Sequence, residues 1–399
     1  MQNMLKEIDK TLGTFLCWLV AHWCRAKRKF ISNTRLLLNA EDNLNILIIK
    51  LCCLGDAVLL IPTLRNLRKN YPRSSITVLT TYRTSNLFDT IPYVNQVIYF
   101  PLTRNPLTIL RFILNVKKQN FDIVFSFDPW YRIATLLSFI LKPKINVGFF
   151  YTGLPFLSHI FAISSEYTEE KHVVETYLDL LKLMNLDITD SRLEFFVDLN
   201  SFQFADKFFI ENGLSSPVIG IFPGSSERWA SKRWPASRYA QVADALITQL
   251  GAKILLLSGK GQGDIVREIF TMMQGRAIIA PENTSVSQLA ALLAKCDLVI
   301  SNDSAPMHIA AAVDTPTIAI FSNVSPVAYH PWIEPYKYIV VRKNMPCSPC
   351  VKFGNMPSCY FQYRCIQEIS IEDVITAVLQ IWPYIELRIK SKSVKVDEQ

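Results

Sequence analysis

The stretch from Ser301 to Phe321 constrains the fold more than any other part of the chain. An apolar run, Leu298 to Ile300, enters a cluster of small polar side chains; a helix of small residues follows, and Thr317 to Phe321 then resumes a buried strand pattern. This order predicts a strand–helix–strand unit of a parallel sheet. Such a unit places the N-terminus of its helix, which favours anionic ligands, at the carboxyl edge of the sheet. The alternative is that residues 302–304 only cap the helix.

The rest of the chain repeats this alternation of buried strands and helices in two series. The strands predicted in the first series are Asn45–Leu51, Ile76–Thr80, Val97–Tyr99, Ile123–Phe127 and Ile145–Val147. Those predicted in the second series are Val218–Phe222, Lys253–Leu257, Ala277–Ile279, Leu298–Ile300 and Thr317–Phe321. Because apolar strands separated by helices are typical of parallel sheets, we expect an α/β protein of two doubly wound domains that face a central cleft.

The length of the chain supports the same division. A chain of 399 residues favours two domains over one or three. The predicted segments are an amphipathic, basic N-terminal segment 1–43, an N-terminal domain 44–205, a C-terminal domain 206–380 and a basic tail 381–399.

The composition is that of a folded, basic protein. Half of the residues are hydrophobic and 19% are charged, which excludes a disordered chain. The net charge of +8 favours an anionic partner, and no nucleic-acid-binding module is recognisable, so we predict no nucleic-acid partner. Cys52 and Cys53 lie side by side in an apolar run that no secretory leader precedes. Together with the odd count of nine cysteines, this indicates reduced thiols and a cytoplasmic location.

The N-terminal segment has a character of its own. Leu12 to Cys24 is apolar and aromatic, contains Trp18 and Trp23, and is followed by four cations within Arg25 to Lys29. The run is too short to span a bilayer comfortably. We expect a helix that lies on an anionic membrane surface. The alternative is a helix that packs on the protein's own body.

Three loops at predicted strand ends carry the candidate chemistry. In the first, Gly55 permits a tight turn and Asp56 stands at a helix start, either as an N-cap or as a general base for an acceptor hydroxyl. The second, residues 222–236, combines small hydroxyls with Lys232 and suits a diphosphate, although an ordinary basic surface loop is the alternative. The third loop contains Asp303, Ser304 and His308.

Three motifs, in a common order and at similar separations, carry a family resemblance. They are Gly55-Asp-Ala-Val-Leu-Leu-Ile-Pro-Thr-Leu-Arg65, Pro223-Gly-Ser-Ser with Ser231-Lys-Arg-Trp-Pro235, and Ser301-Asn-Asp-Ser-Ala-Pro-Met-His-Ile-Ala310. Over roughly residues 44–380, the chain closely resembles glycosyltransferase family 9, the lipopolysaccharide heptosyltransferases. The resemblance implies a GT-B fold and inverting transfer of heptose from ADP-heptose to the inner core of lipopolysaccharide. It implies no cofactor and no required metal, and a site of action at the cytoplasmic face of the inner membrane.

The resemblance also implies roles for individual residues. Asp56 matches the catalytic base, and Lys232 matches the lysine beside the donor phosphates. The residues assigned to substrate binding are Gly55, Gly224, Ser225, Ser226, Gly259, Asp264, Asp303, Ser304, Ala305 and His308. The chain departs from its relatives at Ala305, where they usually carry Gly, and at Gly261, where they often carry a ribose-binding Glu that Asp264 would replace. A transferase for another nucleotide-sugar and a non-catalytic nucleotide-sugar or glycolipid binding protein remain the alternatives.

A cysteine cluster precedes the last predicted helix and consists of Cys347, Cys350, Cys359 and Cys365. A C-x-x-C pair followed by two further cysteines suits tetrahedral zinc, but five residues separate the second pair, which is more than a tight knuckle has. Structural or redox-sensitive thiols are the other interpretation. We predict no metal in the chemistry.

Overall fold

The structure, a computed structural model, describes residues 9–28, 43–84, 86–103, 105–352 and 354–397. The chain divides into two compact units, Met1–Ser191 and Arg192–Gln399, and each is built on one six-stranded parallel sheet. The prediction of an α/β protein with two doubly wound halves is therefore confirmed. The division falls upstream of the boundary expected at residue 205.

The sheet of the first unit has its earliest strand at the centre. Its strands are β1 (Asn45–Ile49), β2 (Ser75–Thr80), β3 (Gln96–Tyr99), β4 (Ile123–Ser126), β5 (Ile145–Phe150) and β6 (Ile163–Glu166). They lie in the order β3-β2-β1-β4-β5-β6, with Ile46 in register with Ile76 on one side and Ile123 on the other. Ile46 to Ile49 are fully buried, because helices cover both faces of the sheet.

Helices cover this sheet and connect its strands. They are α1 (Thr14–Arg28), α2 (Leu54–Val58), α3 (Ile61–Asn70), α4 (Pro106–Lys117), α5 (Arg132–Ile140) and α6 (Val173–Leu183). A π-helical turn, Asp9–Gly13, precedes α1, and short 3-10 helices lie at Tyr82–Thr84, Leu87–Thr90 and Pro155–His159. Helices α4 and α5 share one apolar cluster with β1 and β4, so they cover the same face of the sheet. Helix α1 packs against α5 and the 3-10 helix Pro155–His159.

The second unit repeats the pattern. Its strands are β7 (Val218–Phe222), β8 (Lys253–Leu256), β9 (Ala277–Ile279), β10 (Leu298–Asn302), β11 (Thr317–Ile320) and β12 (Tyr338–Val341). Their order is β12-β11-β10-β7-β8-β9, and Ile300 is in register with Ile221 and Ile318. The predicted unit from Ser301 to Phe321 thus lies at the centre of the sheet, where β7 and β10 end side by side.

Helices accompany the strands of the second unit, and several of them pack on one large core. They are α7 (Leu199–Glu211), α8 (Ala236–Leu250), α9 (Gly263–Met272), α10 (Val286–Lys295), α11 (Ala305–Ala312), α12 (Pro326–Tyr329), α13 (Arg364–Gln367) and α14 (Ile371–Asp397). Short 3-10 helices lie at Glu227–Lys232 and Pro335–Lys337. The structure differs from the sequence prediction at the C-terminus, because α14 continues through the expected tail from residue 381. Ile381, Trp382 and Ile385 recur at helical spacing and are buried in this core.

No helix in the described ranges is long and apolar enough to cross a membrane.

Candidate active site

Asp56 lies in the first turn of α2, just beyond the central strand β1. The residue before this helix, Cys53, is its N-cap and has a left-handed φ of 71°. The chain turns at Cys53, whereas Gly55 already belongs to the helix. Asp56 is therefore not the N-cap, so the capping alternative is wrong. Its side chain is one-fifth exposed, and the carboxylate is both held by the protein and open to solvent on one side.

A buried lysine at the end of β1 faces this carboxylate. The Lys50 side chain is 2% exposed, and its Nζ lies 2.7 Å from Asp128 Oδ1 and 3.8 Å from Asp56 Oδ2. Burial would lower the pKa of Lys50, but the nearby negative charges, Asp128 foremost, raise that pKa well above its usual range. Lys50 is therefore a permanent cation between two carboxylates. Sequence analysis missed Lys50. A charged residue at the end of an otherwise apolar strand was the signal that could have identified it.

Asp128 holds this arrangement in place. It is 1% exposed; one carboxylate oxygen accepts from Lys50, and the other accepts from the backbone N–H of Leu51. The Lys50 ammonium also donates to the carbonyl of Phe127 at 3.3 Å. Because Asp128 is buried and both of its carboxylate oxygens accept hydrogen bonds, Asp56 is the carboxylate of this group that a substrate can reach.

In the second unit, the loops after β7 and β10 join through an ion pair. Lys232 Nζ lies 2.5 Å from Asp303 Oδ2, and the two side chains are 13% and 6% exposed. The same ammonium lies 4.9 Å from the centroid of the Trp229 ring, which limits its freedom to move. These contacts fix one cation at the carboxyl edge of the sheet, beside the start of α11.

The polar side chains before α11 make no capping hydrogen bond to that helix. Asn302 is buried and links the loops after β7 and β10 through hydrogen bonds. Its Oδ1 accepts from Trp234 N at 3.2 Å and from Tyr239 Oη at 2.9 Å. Its Nδ2 donates to Pro223 O at 2.6 Å. Asp303 is engaged with Lys232. Ser304 is the N-cap residue, but its side chain accepts no hydrogen bond from the helix. The capping alternative for this cluster is wrong, and the positive end of α11 is left for another anion.

Ala305 and His308 lie on α11 itself. Ala305 is the first helical residue, and the His308 side chain is buried. Burial lowers the pKa of His308 to about 4. The negative charge of Asp303 opposes this effect only in part, and the positive charge of Lys232 adds to it. The ring is therefore neutral at pH 7. Its Nδ1 has no hydrogen-bond partner among the described residues. The structure thus places a neutral imidazole within electrostatic reach of the ion pair.

The loop after β7 presents Gly224, Ser225 and Ser226. An added Cβ at Gly224 would come within 2.1 Å of Gln262 Oε1, so the glycine leaves room for the Gln262 side chain. Ser225 is buried; its hydroxyl donates to Trp229 O at 2.8 Å, and its carbonyl accepts from Arg233 and from Gln262. Ser226 is exposed at the start of the 3-10 helix. Of the two predicted hydroxyls, Ser225 stabilises the loop and Ser226 faces outward.

The loop after β8 differs from the sequence expectation. Gly259 accepts the N–H of Gln262 and closes the turn. Asp264 points away into solvent, with 98% of its side chain exposed, and pairs with Arg267 at 2.6 Å. The carboxylate beside Gly261 comes from Glu282 in the loop after β9, where Oε1 accepts from Gly261 N at 2.9 Å. Sequence analysis missed Glu282, although it follows a predicted strand at the carboxyl edge.

The four cysteines of the C-terminal cluster do come together. Cys347, Cys350, Cys359 and Cys365 line one cavity of about 20 Å³ and are not joined by disulfides. Within the part of the chain that the structure describes, no group of three or more His, Cys, Asp or Glu side chains is arranged to hold a metal ion. The cluster lies apart from Lys232 and Asp303 in the sequence, and we assign it no chemical role.

Comparison with known proteins gives this geometry its context. The family model for Glycosyltransferase family 9 (heptosyltransferase) matches residues 109–360 of the sequence. The chain belongs to glycosyltransferase family 9. It is therefore an enzyme that transfers a sugar.

Family 9 proteins resemble the chain over most of its length. Lipooligosaccharide heptosyltransferase 2 of Campylobacter jejuni is 25% identical over 331 residues, which cover 81% of this chain and 93% of that protein. The crystal structure of a family 9 glycosyl transferase from Veillonella parvula has a TM-score of 0.72 at 24% identity, over 86% of this chain and 98% of the other. For E. coli heptosyltransferase WaaC with ADP-2-deoxy-2-fluoro heptose, the TM-score is 0.62 at 16% identity, over 84% and 99%. The predicted GT-B fold is confirmed.

Proposed function

We propose that this family 9 enzyme transfers heptose from ADP-heptose to the inner core of lipopolysaccharide, with inversion and without a required metal. The donor is supported by the solved E. coli relative, which was crystallised with an ADP-heptose analogue. The acceptor is supported by relatives such as the Campylobacter jejuni lipooligosaccharide heptosyltransferase. Because such an acceptor is borne by a lipid, we place the enzyme at the cytoplasmic face of the inner membrane.

The observation that carries this proposal is the Asp56 carboxylate beside Lys50. A protein that only binds nucleotide-sugars has no use for a base, whereas a transferase must remove a proton from the acceptor hydroxyl. The cation lies 3.8 Å from Asp56 and stabilises its negative charge, and Asp128 keeps that cation in place. We therefore assign Asp56 as the general base and Lys50 as a positioning residue that acts through it.

The second unit supplies the groups that suit the donor diphosphate. Lys232 offers a fixed ammonium, and the start of α11 offers a helix N-terminus whose cap residue makes no side-chain hydrogen bond to it. Ser226 and Gly224 lie in the loop before Lys232 and suit close approach of phosphate oxygens. Glu282, beside Gly261, suits the hydroxyls of the ribose.

The proposed reaction is a single displacement at the anomeric carbon. Asp56 takes the proton from the acceptor hydroxyl, whose oxygen forms the new bond to the anomeric carbon from the face opposite the diphosphate. The bond between that carbon and the diphosphate oxygen breaks through a cation-like state, and ADP leaves with the electron pair. Lys232 stabilises the charge that grows on the diphosphate. Attack from the opposite face gives inversion.

Replacing Lys50 should reveal its effect on the base. In Lys50→Met, the acid limb of the kcat/KM profile is expected to move to higher pH, because a nearby cation favours the carboxylate form of Asp56. The variant also leaves Asp128 buried without its partner, which should lower the free energy of unfolding by about 3 to 5 kcal/mol. The double variant Lys50→Met/Asp128→Asn should recover much of this stability while keeping the shifted profile. A pH profile like that of wild type in both variants would contradict the positioning role.

Replacing Glu282 and Asp264 in turn should show which of the two carboxylates binds the donor ribose. Glu282→Gln is expected to raise the KM for the donor by about tenfold with little change in kcat, because a hydrogen bond to a charged group is worth about 1.5 to 3 kcal/mol. The amide can still accept from Gly261, so the loop should keep its shape. Glu268→Gln on α9 is the matched control. If Asp264→Asn raised the KM and Glu282→Gln did not, the sequence-based assignment of Asp264 would be right and ours wrong.

Calorimetry and turnover together test the proposed function against its alternatives. We expect ADP to bind more tightly than other nucleoside diphosphates, and turnover of ADP-heptose to survive EDTA. Turnover with a different nucleotide-sugar only would indicate another donor. ADP binding with no turnover on a full panel of truncated lipopolysaccharide acceptors would favour a binding protein.

A further inference from the structure

Helix α1 is seated on the first unit by polar contacts and small residues. Asp9, in the turn before it, accepts the backbone N–H groups of Arg132 and Ile133 at 3.0 and 2.8 Å, which lie at the start of α5. Thr14 Oγ1 accepts from Arg132 Nε at 3.1 Å. The buried residues of the inner face are Gly13, Cys17 and Ala21. An added Cβ at Gly13 would approach Arg132 Cβ to 2.9 Å, so small residues let the helix lie close to its support.

The outer face of the same helix carries the large apolar side chains. Exposed fractions are 55% for Phe15, 39% for Leu16, 44% for Trp18 and 45% for Leu19, and Leu12 in the preceding turn is 53% exposed. Trp23 is 51% exposed, and its ring also meets Phe139 of α5 edge-on. A surface helix in water normally turns its large apolar residues inward. In α1 the large apolar residues point outward instead. The contacts of Asp9 and Thr14 with the start of α5 fix this orientation of the segment. A contiguous apolar patch of this kind marks a surface that meets something other than water.

The positive charge at the end of the helix indicates that the partner surface is anionic. Arg25 is exposed, and Lys27, Arg28 and Lys29 follow it in the sequence. Basic residues beside an apolar face attract anionic lipid head groups. Tryptophan and phenylalanine side chains suit the boundary between head groups and acyl chains, where two of the exposed aromatic rings, those of Trp18 and Trp23, would lie.

A second apolar stripe lies in the same layer of helices. Leu107, Leu110 and Leu114 of α4 are 61%, 52% and 51% exposed, and they recur at helical spacing. Arg111 is exposed on the same helix. Because α4 covers the same face of the sheet as α5, and α1 packs against α5, both apolar stripes belong to one side of the first unit.

We propose that α1 is a membrane-docking helix whose outer face inserts into the interface of a bilayer leaflet that contains anionic lipid. The inference deepens the proposed function, since it rests on the peripheral location given there and names the surface responsible. The π-helical turn and Arg132 hold the helix on the body, so docking of α1 would carry the whole first unit to the membrane. A second copy of this chain, paired through the same face, is the competing occupant.

Vesicle binding by the full-length protein, without donor or acceptor, tests this proposal. We expect binding to phosphatidylcholine vesicles that contain phosphatidylglycerol, weaker binding to phosphatidylcholine alone, and a loss of binding as salt rises. The double variant Phe15→Glu/Leu19→Glu should bind at least about tenfold more weakly, because it removes two inserting side chains and adds two anions. The matched control is Ile210→Glu/Leu199→Glu on α7, whose side chains are 80% and 70% exposed. The control should bind like wild type.

A second readout does not depend on any variant folding. Brominated lipids should quench tryptophan fluorescence of the wild type, because Trp18 and Trp23 enter the interface. Absence of binding and quenching, or equal binding by the α1 variant and wild type, would overturn the proposal. A dimer in sedimentation velocity that the α1 variant abolishes, with no vesicle binding, would assign the face to a second copy. Transfer to detergent-dispersed acceptor without vesicle binding would overturn the docking proposal and leave the proposed function intact.

Discussion

Asp56→Asn is expected to lower kcat by roughly 100- to 10,000-fold, which is the usual contribution of a positioned general base. Asparagine fills the same volume but accepts no proton at neutral pH. Lys50 keeps its 2.7 Å contact with Asp128 in this variant, so the fold and the donor affinity should change little. The measurement is ADP release at saturating donor and acceptor, with ADP affinity measured by calorimetry.

Asp314→Asn is a matched control for this change. Asp314 also pairs with a lysine, Lys337, at 2.7 Å, and it has a left-handed φ of 61° that asparagine tolerates well. We expect this control to transfer at the wild-type rate. Unchanged turnover in Asp56→Asn would rule out Asp56 as the base and with it the proposed mechanism.

Lys232→Met is expected to lower kcat/KM by roughly 100- to 1,000-fold, because it removes a fixed charge from the departing diphosphate. Both kcat and donor affinity should fall, since in the proposed mechanism the ammonium contacts the phosphates before and during bond cleavage. The variant also leaves Asp303 nearly buried without its partner, which should lower the free energy of unfolding by about 3 kcal/mol. Steady-state kinetics and thermal unfolding measure the two effects.

Lys337→Met separates catalysis from stability. This lysine is also nearly buried, at 10% exposed, and it pairs with Asp314 at 2.7 Å and Glu334 at 3.1 Å. Its partners are 62% and 46% exposed, so Lys337→Met should lose less stability than Lys232→Met and should keep its activity. The double variant Lys232→Met/Asp303→Asn should regain stability without regaining kcat. If the double variant regained kcat together with stability, the loss in Lys232→Met would come from destabilisation, and the diphosphate role would be wrong.

The central strands of both sheets were predictable from the sequence, as were the edge strands β3 and β9, whereas the edge strands β6 and β12 were not. Strands such as β1 and β10 are paired on both sides and covered on both faces, so their sequences are continuous apolar runs. The patterns predict neither β6 nor β12. Each is an edge strand, paired on one side only and partly buried, so the apolar signal is weaker.

Within the site, loop motifs were predictable and long-range partners were not. Asp303 and Lys232 were found because each follows a strand in a recognisable loop, but their ion pair joins residues 71 positions apart. Lys50 was hidden in an apolar run, and its role emerges only when the fold brings Asp128 and Asp56 to it. The carboxylate that contacts Gly261 was hidden for the same reason, since Glu282 reaches it from a neighbouring strand end.

The mass of the product that wild-type protein forms from ADP-heptose and a deeply truncated lipopolysaccharide tests heptose transfer itself. We expect an acceptor that is heavier by one heptose, one ADP released for each product, and an inverted anomeric configuration. An acceptor of unchanged mass after incubation of folded, ADP-binding protein with the full set of truncated acceptors would contradict the proposed function.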